Sequence, residues 1–257
     1  MIHLKRPNSP SKLINEEAKL TQEFLQNGNS VWGKPYIKLA LLEMSNNKCV
    51  YCECRLDEES KYMEVEHFLP KDTYPNLVVN WRNLLPSCKR CNGKKGTHDS
   101  KKEPIINPTV DTPSNHIKMF NYCLKGKDLK GKTTVDVLHL NQLDRLVYPR
   151  MLIGTKTIET VEKLLEMAEN FNLNINATGR IKSRIIHGTT QLLIEAQPHS
   201  EYSATVASVL FNNEDFVKLK EIMIKCTIWN TEHQKLLSNA ERNILVEPLY
   251  NCLNNKN

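Results

Sequence analysis

Two cysteine pairs, Cys49-Val-Tyr-Cys52 and Cys88-Lys-Arg-Cys91, stand 35 residues apart. Each pair can grip one ion from two sides, and four thiolates complete the tetrahedral shell that structural zinc prefers. Basic neighbours Lys48, Lys89 and Arg90 favour the thiolate forms. A redox reading of either pair needs a βαβ context, which the surrounding sequence lacks. Cys54 could replace Cys52, although the paired spacing favours Cys52. Cys123, Cys226 and Cys252 read as packed thiols. The gap is longer than the roughly 15–20 residues of a compact zinc ribbon, so something is folded between the pairs.

That insert carries Val65-Glu66-His67-Phe68-Leu69-Pro70 and Trp81-Arg82-Asn83-Leu84-Leu85-Pro86, and Asn92-Gly93-Lys94-Lys95-Gly96 follows the last cysteine. A carboxylate and an imidazole sit side by side, with an amide and lysines at the start of a helix. Strand alternation sends Glu66 and His67 to opposite faces unless the strand ends there, which Pro70 close behind permits. His98 and Asp99 can reach a metal or lie on a solvated helix face. Lys89, Arg90, Lys94 and Lys95 cluster beside the site and suit phosphate contacts.

The order of cysteine pair, Glu-His, Asn, cysteine pair and Asn-x-x-Lys resembles the HNH endonuclease family in its four-cysteine form. The resemblance covers Cys49 to Gly96. It implies a ββα-metal finger braced by structural Zn2+, with a second ion, Mg2+ or Mn2+, acting on a phosphodiester. By resemblance His67 is the general base, suited by a pKa near neutrality. Glu66 and Asn92 hold the catalytic ion through oxygens. Asn83 holds the loop that orients His67, and Lys95 contacts the phosphate. Glu66 stands where Asp is commoner, and Asn92 stands where many members have His.

The elements that position these groups read as follows. Residues 1–10 are an irregular arm with two prolines. Leu13–Gln26 is a helix stopped by Asn27-Gly28-Asn29, and Tyr36–Met44 is a second helix delivering the chain to Cys49. Glu64–Leu69 reads as a strand, Asn76–Val79 as a second extended segment or loop, and a helix starts near Ser87–Cys91. Residues 118–132 read as a basic hairpin or loop, and Thr133–Leu140 has the β-branched alternation of a strand. Helices follow at Leu143–Ile153, Thr155–Phe171, Ile181–Gln197, Tyr202–Leu210, Glu214–Trp229 and His233–Asn254.

The expected architecture is α+β: a small zinc-braced finger embedded in a mainly α-helical chain. Its expected parts are a helical arm (1–44), the nuclease domain (45–103) and a helical region (104–257). No phosphate loop or serine-nucleophile motif appears. Across 257 residues, 35 Lys and Arg face 29 Asp and Glu. This mild basicity is compatible with nucleic acid and does not establish it. Residues 82–102 carry seven basic groups and one acidic, whereas residues 41–72 carry four basic and eight acidic. No secretory leader and no membrane span is read, so a cytoplasmic protein is expected.

The order of arm, finger and Leu138-His-Leu-Asn141 with Arg145 is similar to the HNH component of Septu-type anti-phage systems and their retron-associated relatives (PtuB-like). That likeness implies a PtuA-like ATPase of the ABC/SMC class docked on the helical region, and a retron reverse transcriptase with its DNA as a further partner. The alternatives are a stand-alone homing or restriction nuclease, and a non-catalytic zinc-finger binding or scaffold protein. RNA, including tRNA, is the alternative substrate to DNA.

Overall fold

The computed structural model describes residues 1–56, 62–175 and 177–246. The elements are α1 (Ser11–Asn27), α2 (Pro35–Ser45), β1 (Met63–His67), β2 (Leu84–Cys88), α3 (Lys89–Lys95), the single turn α4 (Pro113–His116), β3 (Ile117–Phe120), β4 (Cys123–Gly126), α5 (Leu129–Val137), α6 (Tyr148–Asn172), α7 (Gly179–Glu195), α8 (Ser203–Phe211), α9 (Glu214–Lys225) and α10 (Thr231–Ala240). Two small sheets, β1–β2 and β3–β4, sit in a chain that is otherwise mainly helical. No helix among the described residues is long and apolar enough to cross a membrane.

The chain divides into two units, one of Met1–Ile117 with Leu124–Asn141, the other of Lys118–Cys123 with residues from Gln142 onward. Residues 1–44 therefore belong to the same unit as the finger. The first ten residues are irregular, yet Met1, Ile2 and Leu4 are buried. The Trp81 indole N–H donates to the Pro7 carbonyl at 2.9 Å, and the Arg6 guanidinium donates to the Trp81 and Leu84 carbonyls. Helix α1 ends where expected, with Gly28 left-handed at φ 67°.

The finger is β1, β2 and α3 in succession. The strands are antiparallel, with Met63 opposite Cys88 and His67 opposite Leu84. Of the two readings of Asn76–Val79, extended segment or loop, the structure gives the loop. Pro75 opens a 3-10 turn there, and the strand forms eight residues later, where Leu84 and Leu85 are fully buried. Cys88 then caps α3 by accepting the Cys91 N–H.

Three expectations are corrected. Thr133–Leu140 is not a strand: residues 129–137 are α5, started by Asp128, whose side chain accepts the Gly131 N–H at 2.7 Å. Thr134 donates its hydroxyl to the Lys130 carbonyl and accepts the Ile106 N–H, so the helix satisfies both groups. Gly154 does not separate two helices. A short π-turn at Leu143–Val147 runs into α6, which continues through Gly154, and the Tyr122 ring fills the space where a side chain at 154 would be. The last two helices are shorter than read. α9 stops at Lys225, and α10 stops at Ala240 before a 3-10 turn whose Asn243 donates to the Ala196 carbonyl. Residues 247–254 of the expected His233–Asn254 helix, and Cys252, lie outside the described residues.

In the second unit α6 is the central helix, packed against α7, α8 and α9. Val161, Ala168, Ile185, Leu193, Phe216 and Leu219 form the middle of its core. Amphipathic helices of this length draw their stability from such packing.

Gly131 lies in the first turn of α5 hard against the His116 carbonyl, where an added Cβ would sit 1.8 Å from the oxygen. Gly131→Ala is expected to lower stability by about 1–3 kcal/mol. Gly179→Ala, at a helix start with open space around it, is expected to change it by less than about 1 kcal/mol. Urea unfolding of the two variants checks both.

Candidate metal and catalytic centre

Cys49, Cys52, Cys88 and Cys91 bring their sulfurs within 4.8 Å of one another. The first pair sits on a tight knuckle in which the Cys49 N–H donates to the Cys54 carbonyl and the Glu53 N–H to the Cys49 carbonyl. The second pair comes from the end of β2 and the first turn of α3. Val50 joins the two supports directly, its N–H donating to the Pro86 carbonyl at 3.1 Å. Cys54, the alternative to Cys52, is not one of the four, although its thiol hydrogen-bonds to Cys49, Cys52 and Cys88. Crowded thiols compete for protons. Burial alone would push the Cys49 thiol up, but hydrogen bonds from the other cysteines hold it well below its ordinary value. Hydrogen bonding to Cys49, Cys52 and Cys88 pushes Cys91 well above. A dication would resolve that competition by taking all four as thiolates, and the donor set fits zinc.

The structure brings His67, Glu66 and Asn92 to one cavity of about 300 Å3, together with Trp32, Lys71 and Asp72. His67 ends β1 and is buried. Its Nε2 lies 2.8 Å from the Val78 carbonyl. A carbonyl only accepts, so Nε2 carries the proton and the neutral ring keeps its lone pair on Nδ1. Burial pushes the His67 pKa down to about 4, with the Val78 carbonyl opposing and the Lys71 and Lys95 charges adding. The imidazole is therefore neutral at neutral pH.

Asn83 braces the loop that carries the Val78 carbonyl. Its side-chain oxygen accepts the Leu69 N–H at 2.7 Å, and its amide donates to the Leu69 and Leu77 carbonyls at 3.0 and 3.1 Å. The loop from Leu69 to Val78 is thereby closed on itself beneath the imidazole.

Glu66 faces α3 and is buried. Its Oε1 lies 2.8 Å from the Lys95 ammonium. Lys95 also donates to the His67 carbonyl at 2.8 Å. Burial nevertheless pushes the Glu66 carboxyl up to about 7, against the pull of Lys95. Tyr51, inside the first cysteine pair, is fully buried beside it; burial and then the Glu66 charge hold its phenol well above the ordinary value. The expectation that Lys95 contacts phosphate does not fit this placement, since its side chain is 1% exposed. Arg90 is also committed elsewhere. Its guanidinium donates to the Leu138 and His139 carbonyls and to the Cys91 sulfur. Lys89 and Lys94 are exposed on α3. Neither His98 nor Asp99 lines the cavity.

Asn92 is half-buried and donates its amide to the Glu64 Oε2 at 2.7 Å. Its side-chain oxygen is thereby turned away from Glu64. The donors Glu66 and Asn92 are hard oxygens, with the exposed Asp72 carboxylate at the same cavity. That set suits Mg2+ or Mn2+, and a dication would hold Glu66 ionised.

Sequence reasoning missed Glu64, Trp32, Lys71 and the Val78 carbonyl. Glu64 was within reach, because residues two apart on a strand share a face. Trp32 gave no local signal, since it lies before the first cysteine and reaches His67 only through the fold.

The family model for HNH endonuclease matches residues 49–98. The chain is 32% identical over 233 residues to the Septu protein PtuB of Bacillus mycoides strain KBAB4, an alignment covering 73% of this chain and 77% of that protein.

Two outcomes are expected here. Cys88→Ser should lower bound zinc well below one per chain by elemental analysis, while Cys123→Ser should leave it unchanged. Lys95→Met strands a buried carboxylate and should cost about 3–5 kcal/mol, measured by denaturation. Adding Glu66→Gln to Lys95→Met should recover most of that loss.

Proposed function

The chain belongs to the PtuB family of HNH endonucleases, and from that premise we propose how it cuts and where it works. It hydrolyses phosphodiester bonds of nucleic acid, DNA before RNA. The observation that carries this reading is the His67 imidazole, buried at a cavity with Nε2 tied to the Val78 carbonyl and Nδ1 left as the base. Nδ1 takes a proton from water as that water attacks phosphorus. Asn83 keeps the ring in place by holding the loop that carries Val78. Glu66 and Asn92 hold a divalent ion, Mg2+ or Mn2+. When bound, that ion supplies charge stabilisation at the phosphate and the leaving oxygen. Lys95 keeps the Glu66 carboxylate aligned from inside the finger. Zn2+ at the four cysteines is structural.

We assign the protein to a Septu-type defence complex in the cytoplasm, where thiols stay reduced and free to bind metal. Its partner is a PtuA-like ATPase of the ABC/SMC class. The helical region after residue 104 is the assembly surface in this reading. Tyr148, Met151 and Leu152, at helical spacing on α6, are 50%, 39% and 50% exposed, and adjacent apolar groups on one helix face suit a protein partner. No observation calls for a retron reverse transcriptase.

The test is cleavage of single-stranded DNA, duplex DNA and total tRNA with Mg2+ or Mn2+, with and without a PtuA-like ATPase. His67→Ala should lower the rate by about 100- to 10,000-fold without loss of zinc. Cutting by His67→Ala at the wild-type rate would sink the assignment. Met151→Asp with Leu152→Asp should abolish co-purification with the ATPase and leave the zinc content intact.

A further inference from the structure

The cation expected to meet the substrate phosphate, Lys95, is inside the protein, and Arg90 is bound to backbone carbonyls. Among the described residues, Lys71 alone of the Lys and Arg side chains lines the cavity that holds His67. Its side chain is 32% exposed, and Asp72, its ionic neighbour among the described residues, is 61% exposed, so the pair is a weak surface contact. The Lys71 ammonium lies over the Trp32 ring, 5.6 Å from its centroid. Trp32 comes from the loop between α1 and α2, outside the nuclease motif. It packs perpendicular to His67 with ring centroids 5.0 Å apart, and Phe24 meets it edgewise at 5.9 Å. Trp32 is only half-buried and forms part of the cavity wall.

We propose that Trp32 and Lys71 form a nucleotide-binding wall: Lys71 holds a backbone phosphate of the scissile strand, and Trp32 stacks a base next to it. A cation along the backbone with an aromatic platform beside it is the chemistry that binds single strands. A duplex keeps its bases inside the stack. An indole recessed against the general base can be reached only by a base that has left it. The substrate class is thus a single strand, or a duplex with an unstacked nucleotide. This inference rests on the nuclease reading and narrows its substrate. It replaces the expected phosphate contact with a residue from another loop.

The experiment uses the full chain without added divalent ion and fluorescence anisotropy of labelled dT20, its duplex with dA20, and dT20 carrying abasic sites. The wild type should bind dT20 at least tenfold tighter than the duplex. Trp32→Leu should weaken dT20 binding roughly 5- to 150-fold, and Trp32→Phe should keep most of it. Lys71→Gln should reduce the slope of log affinity against log salt by about 0.7. Abasic sites should weaken the wild type and add nothing to Trp32→Leu, a coupling that simple loosening of the fold would not produce. Unchanged affinity in Trp32→Leu, no effect of abasic sites, or duplex bound as well as dT20 would each overturn the proposal. The two readings fail separately. His67-dependent cutting with no single-strand preference sinks the wall and keeps the nuclease. Trp32-dependent binding of dT20 with no cutting under any divalent ion sinks the nuclease and keeps the wall.

Discussion

The finger depends on one constraint, the convergence of four sulfurs from two stretches of chain. The knuckle at Cys49 and Cys52 has no regular element of its own, and α3 is only seven residues long. Neither would persist alone in water, because a helix that short cannot repay its nucleation. A metal shared between them would tie the two together. Its effects reach the chemistry within a few bonds. Cys91 immediately precedes Asn92, Cys88 ends the strand that pairs with β1, and Tyr51 packs beside Glu66.

Around that brace the site is assembled from two kinds of parts. Local sequence supplies the groups: a histidine at the end of β1, an amide on α3, and a second amide ahead of β2. Distant sequence supplies their surroundings. Arg6 reaches the carbonyls of Trp81 and Leu84, and Leu4 donates to the Pro108 carbonyl. The buried Glu66–Lys95 pair shows what this costs. Two charges are held out of water where an apolar pair would be as stable or more so. Keeping them leaves the carboxylate facing α3 at the cavity.

The legible part of the site was the part written as residue types at fixed spacing. Four cysteines, Glu66-His67, Asn83 and Asn92 are short-range signals, and the structure gathers them at one finger. Long apolar-periodic helices were legible for the same reason, as in α1 and α7. The strand β2 was missed because Leu84-Leu85-Pro86 carries no alternation and a proline, while Asn76–Val79 read as extended or loop and is turned by Pro75. Thr133–Leu140 misled through β-branched residues whose hydroxyl is satisfied in a helix. Lys95 misled differently: sequence gives its spacing from Asn92 but not the direction of its side chain. Trp32 could not be seen, since its meeting with His67 is purely tertiary.

The reach of these contacts sets the order of events during synthesis. His3 bonds to the Asp111 carbonyl and Arg90 to the carbonyls of Leu138 and His139. At about 5–20 residues per second, the cysteines, the histidine and both asparagines leave the ribosome seconds before the segments that seat them. The nascent chain thus carries every reactive group while the frame around them is incomplete. The frame closes only when Leu138 and His139, past the midpoint of the 257-residue chain, have been made.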